Sequence, residues 1–267
     1  MYFINPFRGL RPKKDKASSV AITSTDQLSK DIVINHKKNN PWSYLNVFAA
    51  ENKSKSKEQF ELMKKSSILT KDNNNSFYIY KISAENHEQV GIIGVAELSA
   101  YDNLHIRGHE EIYFERAQKR LKQMDNLNAQ IGPIYGIYPD NLELTELIKK
   151  EINLNPIYSF NALDGCKHEM WIVDEENKVK EICNLFNTIN CVYIADGHHR
   201  IEALSKLSQF KKHQNPNHTG KEPYNYFMVA IFPQSQARIL DYNRLVKDLY
   251  GYSAKDFIKE IKKIFNV

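Results

Sequence analysis

The five apolar residues at 191–195, CVYIA, run directly into Asp196 and Gly197, and the helical pattern RIEALSKLSQF begins three residues later. Such a stretch has few ways to fold. A buried strand delivers a tight turn, and an amphipathic helix leaves the turn at once. Gly197 can take a positive φ and let a ligand approach the backbone. His198, His199 and Arg200 then occupy the first helical turn, where N–H groups and the helix dipole attract anions. Arg200 adds a fork shaped for phosphate, and Asp196 is placed to hold Mg²⁺ beside that phosphate. The plainer reading makes Asp196 an N-cap and the histidines half-buried structural residues. The residues alone leave both readings open.

The alternation of strand and helix extends along the chain. Apolar strand patterns stand at 76–82, 89–98, 132–139, 167–173 and 224–232, and SYLNVFA at 43–49 also reads as a strand. Helical spacing appears at 26–38, 55–69, 108–130, 142–152, 180–189 and 253–265, the last with Ser253 as its N-cap. The polar stretch 209–223 reads as a mobile loop. These elements predict an α+β protein: a smaller α+β N-terminal region over 1–105 and a site-bearing domain over 106–267.

Composition narrows the function. With 42% hydrophobic and 26% charged residues in 267, a sizeable core can form and a disordered chain is excluded. Three cysteines without a C-x-x-C pair argue against a disulfide scaffold or a zinc ribbon, and predict a reducing, cytoplasmic setting. No apolar run nears the ~20 residues that cross a bilayer, so no membrane partner is expected. The N-terminal charges come after a short apolar stretch, so no signal peptide is expected either. The net charge of +5 comes with few arginines, and the lysines are scattered, which is a solvated surface rather than a nucleic-acid stripe. The arginines within motif-like stretches (Arg8, Arg11, Arg116, Arg120, Arg200 and Arg244) are candidates for fixed anion contacts.

A second chemical signal is GHEEIYFERAQKR at 108–120, with His109 and Glu110 at a helix start and Arg116 and Arg120 farther along. A carboxylate there can act as a general base toward a hydroxyl, although a solvated charged helix face explains the same residues. H-E-x-x-H is absent, because Tyr113 stands where the second histidine would be. His168, alone on a strand, reads as structural, and the histidines and cysteines show no zinc spacing.

NPFRGLRP, NPWSYLNV, the H-E pair with NAQIGPIYGIY after it, DGCKHEMW, YIADGHHRIEA and FPQSQARILDYNRLVKDLYG occur in one order along the chain. Together they resemble the prokaryotic family called domain of unknown function 1015. The order H-E, G-P strand, D-G-H-H-R is also similar to free serine kinase, of the ParB/sulfiredoxin-like superfamily. That resemblance implies a ParB/sulfiredoxin-like mixed sheet with flanking helices. It also implies Mg²⁺-dependent phosphoryl transfer from ADP or ATP to a small hydroxyl substrate, free L-serine first. Glu110, paired with His109, falls on the catalytic base. Asp196 falls on the metal position, and Gly197, His198, His199 and Arg200 fall on the side that handles nucleotide and phosphate, with Arg120 of the 108–120 stretch a further candidate for phosphate. The alternative is a non-catalytic ParB-like nucleotide-binding protein, or a degraded family member. Ile112 and Tyr113 replace the threonine and arginine usual after the H-E pair. The family usually continues well past YNRLVKDL, so the chain reads as short at its C-terminus.

Overall fold

The computed structural model describes residues 2–22, 29–110, 114–239, 241 and 246–266, and, within 114–120, only the side chain of residue 118. The chain divides into two compact units, Met1–Ala237 and Arg238–Val267. In the first unit the described elements, in chain order, begin with strands β1 (Ile4–Asn5) and β2 (Leu10–Pro12). Helices α1 (Ala17–Val20), α2 (Lys30–Asn39), α3 (Leu45–Phe48) and α4 (Lys53–Lys65) are next, then β3 (Leu69–Lys71), β4 (Phe77–Ala84) and β5 (His87–Glu97). After them come α5 (Leu98–Asp102), β6 (Ile106–Arg107), α6 (Phe114–Leu127), β7 (Ile134–Tyr138), α7 (Leu142–Ile152), β8 (Tyr158–Asn161) and β9 (Lys167–Val173). The unit closes with α8 (Glu176–Asn187), β10 (Val192–Asp196), α9 (His198–Gln214) and β11 (Tyr226–Pro233). In the second unit Ser253 accepts from the Asp256 N–H and opens α10 (Ala254–Ile261), the cap expected there.

The protein is α+β. A nine-stranded mixed sheet runs β6-β10-β7-β11-β5-β4-β9-β8, with β1 paired to β5, and β2 and β3 form a small separate sheet. The boundary expected near residue 105 does not coincide with a break in the large sheet, because β5 and β11 pair over six residues, Tyr226↔Glu97 to Ile231↔Ile92.

The period-2 alternation of the strands sorts the two faces. Phe77, Ile79, Ile92, Trp171, Val173, Ile134, Val229 and Ile231 turn to one side and form the main core with residues of α7, α8 and α9. Leu144, Leu147 and Ile148 give α7 its buried stripe, and Asn141 caps it by accepting from the Leu144 N–H. A second apolar cluster gathers Val47, Phe60, Met63, Leu69 and Leu127.

Two expectations fail, each for a local reason. The segment 43–49 contains helix α3 rather than a strand. Asn40 accepts from the Trp42 N–H and donates to the Ser19 carbonyl, Asn46 donates back to the Asn40 carbonyl, and Ser43 accepts from the Leu45 N–H. These side chains offer the backbone a turn that a strand could not match. The stretch expected as a loop from 209 is helical as far as Gln214, and the turn at 219–225 beyond it is fastened. The Glu222 carboxylate accepts from the Thr219 N–H and hydroxyl, the Gly220 N–H and the Asn225 amide. Burial pushes that carboxyl up, but the hydrogen bonds and His218 outweigh it and hold its pKa at about 2.

Candidate functional site

The strand–turn–helix read from the sequence forms where expected. β10 ends at Asp196, Gly197 takes φ +110°, and α9 begins at His198. The Gly197 φ calls for glycine, and a Cβ there would also crowd Ile134 Cγ1 at 3.2 Å and Arg200 Cζ at 3.3 Å. A bulge between Ile194 and Asp196 shifts the register against β7 and pairs Asp196 with Tyr135. The extra residue carries Asp196 away from the core side, where Ile194 points.

The structure brings the H-E pair onto this turn. His198 is almost wholly buried, with its side chain 1% exposed, and the His109 N–H donates to its Nε2 at 3.2 Å. In the neutral ring the proton therefore belongs on Nδ1. Nδ1 lies 3.1 Å from the Glu110 carboxylate, at an angle that makes no hydrogen bond, and it has no other partner among the described residues. The His109 ring stands edge-on to His198, with centroids 4.7 Å apart. Burial pushes the His198 pKa below its ordinary value, and the His109 charge acts the same way. Glu110 and Asp196 oppose them, and His199 adds to the lowering. His198 is thus held neutral, its donor edge toward a half-exposed carboxylate.

Arg200 fastens the other side of the turn. Its guanidinium donates to the Pro133 carbonyl and to the Asp196 carboxylate, which is 73% exposed. No group of three or more His, Cys, Asp or Glu side chains able to hold a metal gathers among the described residues. Asp196 thus supplies a single exposed carboxylate. That donor set fits Mg²⁺, which keeps several waters and takes one or two carboxylates together with phosphate oxygens.

Of the residues expected at the site, His109, Glu110, Asp196, Gly197, His198 and Arg200 are brought together. His199 comes next on α9, half-buried. Arg120 lies on α6, but its side chain falls outside the described residues, as does that of Arg116. Ile112, Tyr113 and Arg244 also lie outside them. Arg11, expected at an anion, is taken by Asp72 at 2.8–2.9 Å and donates to the Tyr158 hydroxyl at 2.8 Å.

A family model described as "Protein of unknown function (DUF1015)" matches residues 4–267. The chain belongs to the DUF1015 family. The N-terminal FRGLRP stretch, the H-E pair and the D-G-H-H-R turn of this DUF1015 protein all lie within the match. No curated protein and no solved structure matches the chain. No helix among the described residues is long and apolar enough to cross a membrane.

Proposed function

We propose that this protein transfers a phosphoryl group from ADP or ATP, with Mg²⁺, to a small hydroxyl substrate, free L-serine being the first candidate. The observation that carries this reading is the approach of Glu110 to the buried His198 of the D-G-H-H-R turn, within 3.1 Å. It joins a half-exposed carboxylate to a phosphate-type helix N-terminus in one site. Glu110 takes the acceptor's proton as its oxygen bonds to the donor's terminal phosphorus, and the bridging oxygen departs with the remaining nucleotide. His198, its Nδ1 3.1 Å from the Glu110 carboxylate, anchors the turn against the H-E pair through the His109 N–H. Asp196 would hold Mg²⁺, which when bound neutralises charge on the phosphate oxygens. Arg200 positions Asp196 and ties the turn to β7 through the Pro133 carbonyl. The three free cysteines support a reducing, cytoplasmic setting.

The test is incubation of the protein with L-serine, Mg²⁺ and either ADP or ATP, with ³¹P NMR to detect phosphoserine. Glu110→Gln should slow transfer at least about 100-fold and leave nucleotide affinity unchanged by calorimetry. Full activity in that variant would sink the assignment of the base. Nucleotide binding without product from any acceptor would point instead to a nucleotide-binding protein without turnover.

A further inference from the structure

The sheet face turned away from the main core carries a cavity of about 350 Å³, at the small end of ligand-binding pockets. Its walls come from motifs far apart in sequence: Pro12 of FRGLRP, Tyr44 of NPWSYLNV, Pro133 of the G-P strand, and His168 and Met170 of DGCKHEMW. Neighbouring strands β4, β9 and β8 supply Tyr80, His168 and Phe160 to this face. The His168 ring lies between the other two, 5.9 Å from each, at interplanar angles of 22° and 23°. The Tyr80 hydroxyl and His168 Nδ1 are 2.6 Å apart.

Three nearly parallel rings, with apolar walls and one imidazole–phenol edge, suit a flat heterocycle. They do not suit free serine, whose ammonium and carboxylate would be stripped of water there without partners. Of the charged side chains around it, Arg11 is committed to Asp72, Glu169 to Lys167, and Asp164 to the His168 Nε2 edge at 3.4 Å.

The cavity also connects to the proposed phosphate site. Pro133 lines the cavity, and its carbonyl receives Arg200. Strand register places Asp196, Tyr135, Ala230 and Ile93 in one row across four adjacent strands. Cross-strand partners share a face, so Asp196 and the cavity's Ile93 open to the same side of the sheet.

We infer that the Tyr80–His168–Phe160 cavity is the nucleobase subsite, holding the donor's ring while its phosphates extend past Pro133 to the Asp196–Arg200 turn. This deepens the phosphotransferase reading and rests on it for what the ring carries.

Adenosine, which has the ring and no phosphate, separates the two. Calorimetry on the full chain should show adenosine binding that Phe160→Leu and the cavity-filling Ala162→Trp weaken at least ten-fold and Asp196→Asn leaves intact. Asp196→Asn should weaken ADP and ATP. The His168 imidazole resonances of the unsubstituted protein should shift on adding adenosine, a readout that does not depend on any variant folding. Unshifted His168 resonances, or binding indifferent to both cavity substitutions, would overturn the subsite. Cavity-dependent adenosine binding in a protein that never makes phosphoserine would keep the subsite and discard the serine kinase.

Discussion

Among the described residues two arginine–aspartate pairs stand out, and their surroundings differ. Arg11 grips Asp72, Asp72 also receives the Tyr78 hydroxyl at 2.7 Å, and that hydroxyl accepts from the Gly9 N–H. The Arg11 guanidinium also donates to the Tyr158 hydroxyl, which in turn donates to the Pro12 carbonyl. These contacts are mutual and little exposed, Asp72 at 13% and Arg11 at 25%. Arg200 holds Asp196 with 73% of that side chain in water, next to a buried histidine whose Nδ1 makes no hydrogen bond among the described residues. The first pair is closed and fixes the N-terminal segment to the sheet. The second leaves a carboxylate in solvent and, among the described residues, a buried donor edge unsatisfied, which costs folding energy and marks a candidate site.

Stability measurements can break this contrast. Asp72→Ala strands a guanidinium and a phenol together and should cost about 3 kcal/mol in urea unfolding; a loss below about 1 kcal/mol would mean the clasp is loose. Gly197→Ala forces a side chain onto φ +110° and should cost about 1–2 kcal/mol in thermal unfolding, unless the turn can relax. Asp196→Asn removes an exposed ion pair and should change stability by less than about 0.5 kcal/mol while lowering phosphoserine formation. A loss matching that of Asp72→Ala would make the turn a second clasp rather than a site.

The smallest expected effects are in pH. His198 has a lowered pKa in the folded state, so the unfolded chain binds its proton first. Its contribution to stability is whole above the ordinary histidine value near 6.5 and shrinks as pH falls below it. His198→Gln should flatten that part of the profile, and an unchanged slope would show the ring to be solvated. Glu222, held at about 2, contributes above the ordinary glutamate value of about 4.3 and loses its contribution between there and about 2. Glu222→Gln should remove that acid limb alone.

What could be read from the sequence was local. Helix α7 forms over the residues that its apolar spacing marks, and the Asp196–Gly197 turn feeds α9 because strand, glycine and helix are consecutive. The role of Arg11 was hidden because Asp72 and Tyr158 reach it only through the folded sheet. The aromatic cavity was hidden for the same reason: Tyr80, Phe160 and His168 each look like an ordinary strand residue until β4, β9 and β8 align. The α3 segment misled because Leu45 and Val47 alternate as a strand would, while the deciding hydrogen bonds come from Asn40 and Asn46.

The order of strands also bears on synthesis. β11 lies between β7 and β5 near the middle of the sheet, yet it is the last of the sheet's described strands to leave the ribosome. Until Tyr226–Pro233 emerges, the edges of β7 and β5 that it pairs with in the finished sheet lie bare. The nascent chain therefore passes through a stretch of translation in which it is most open to wrong pairing, and most in need of a chaperone.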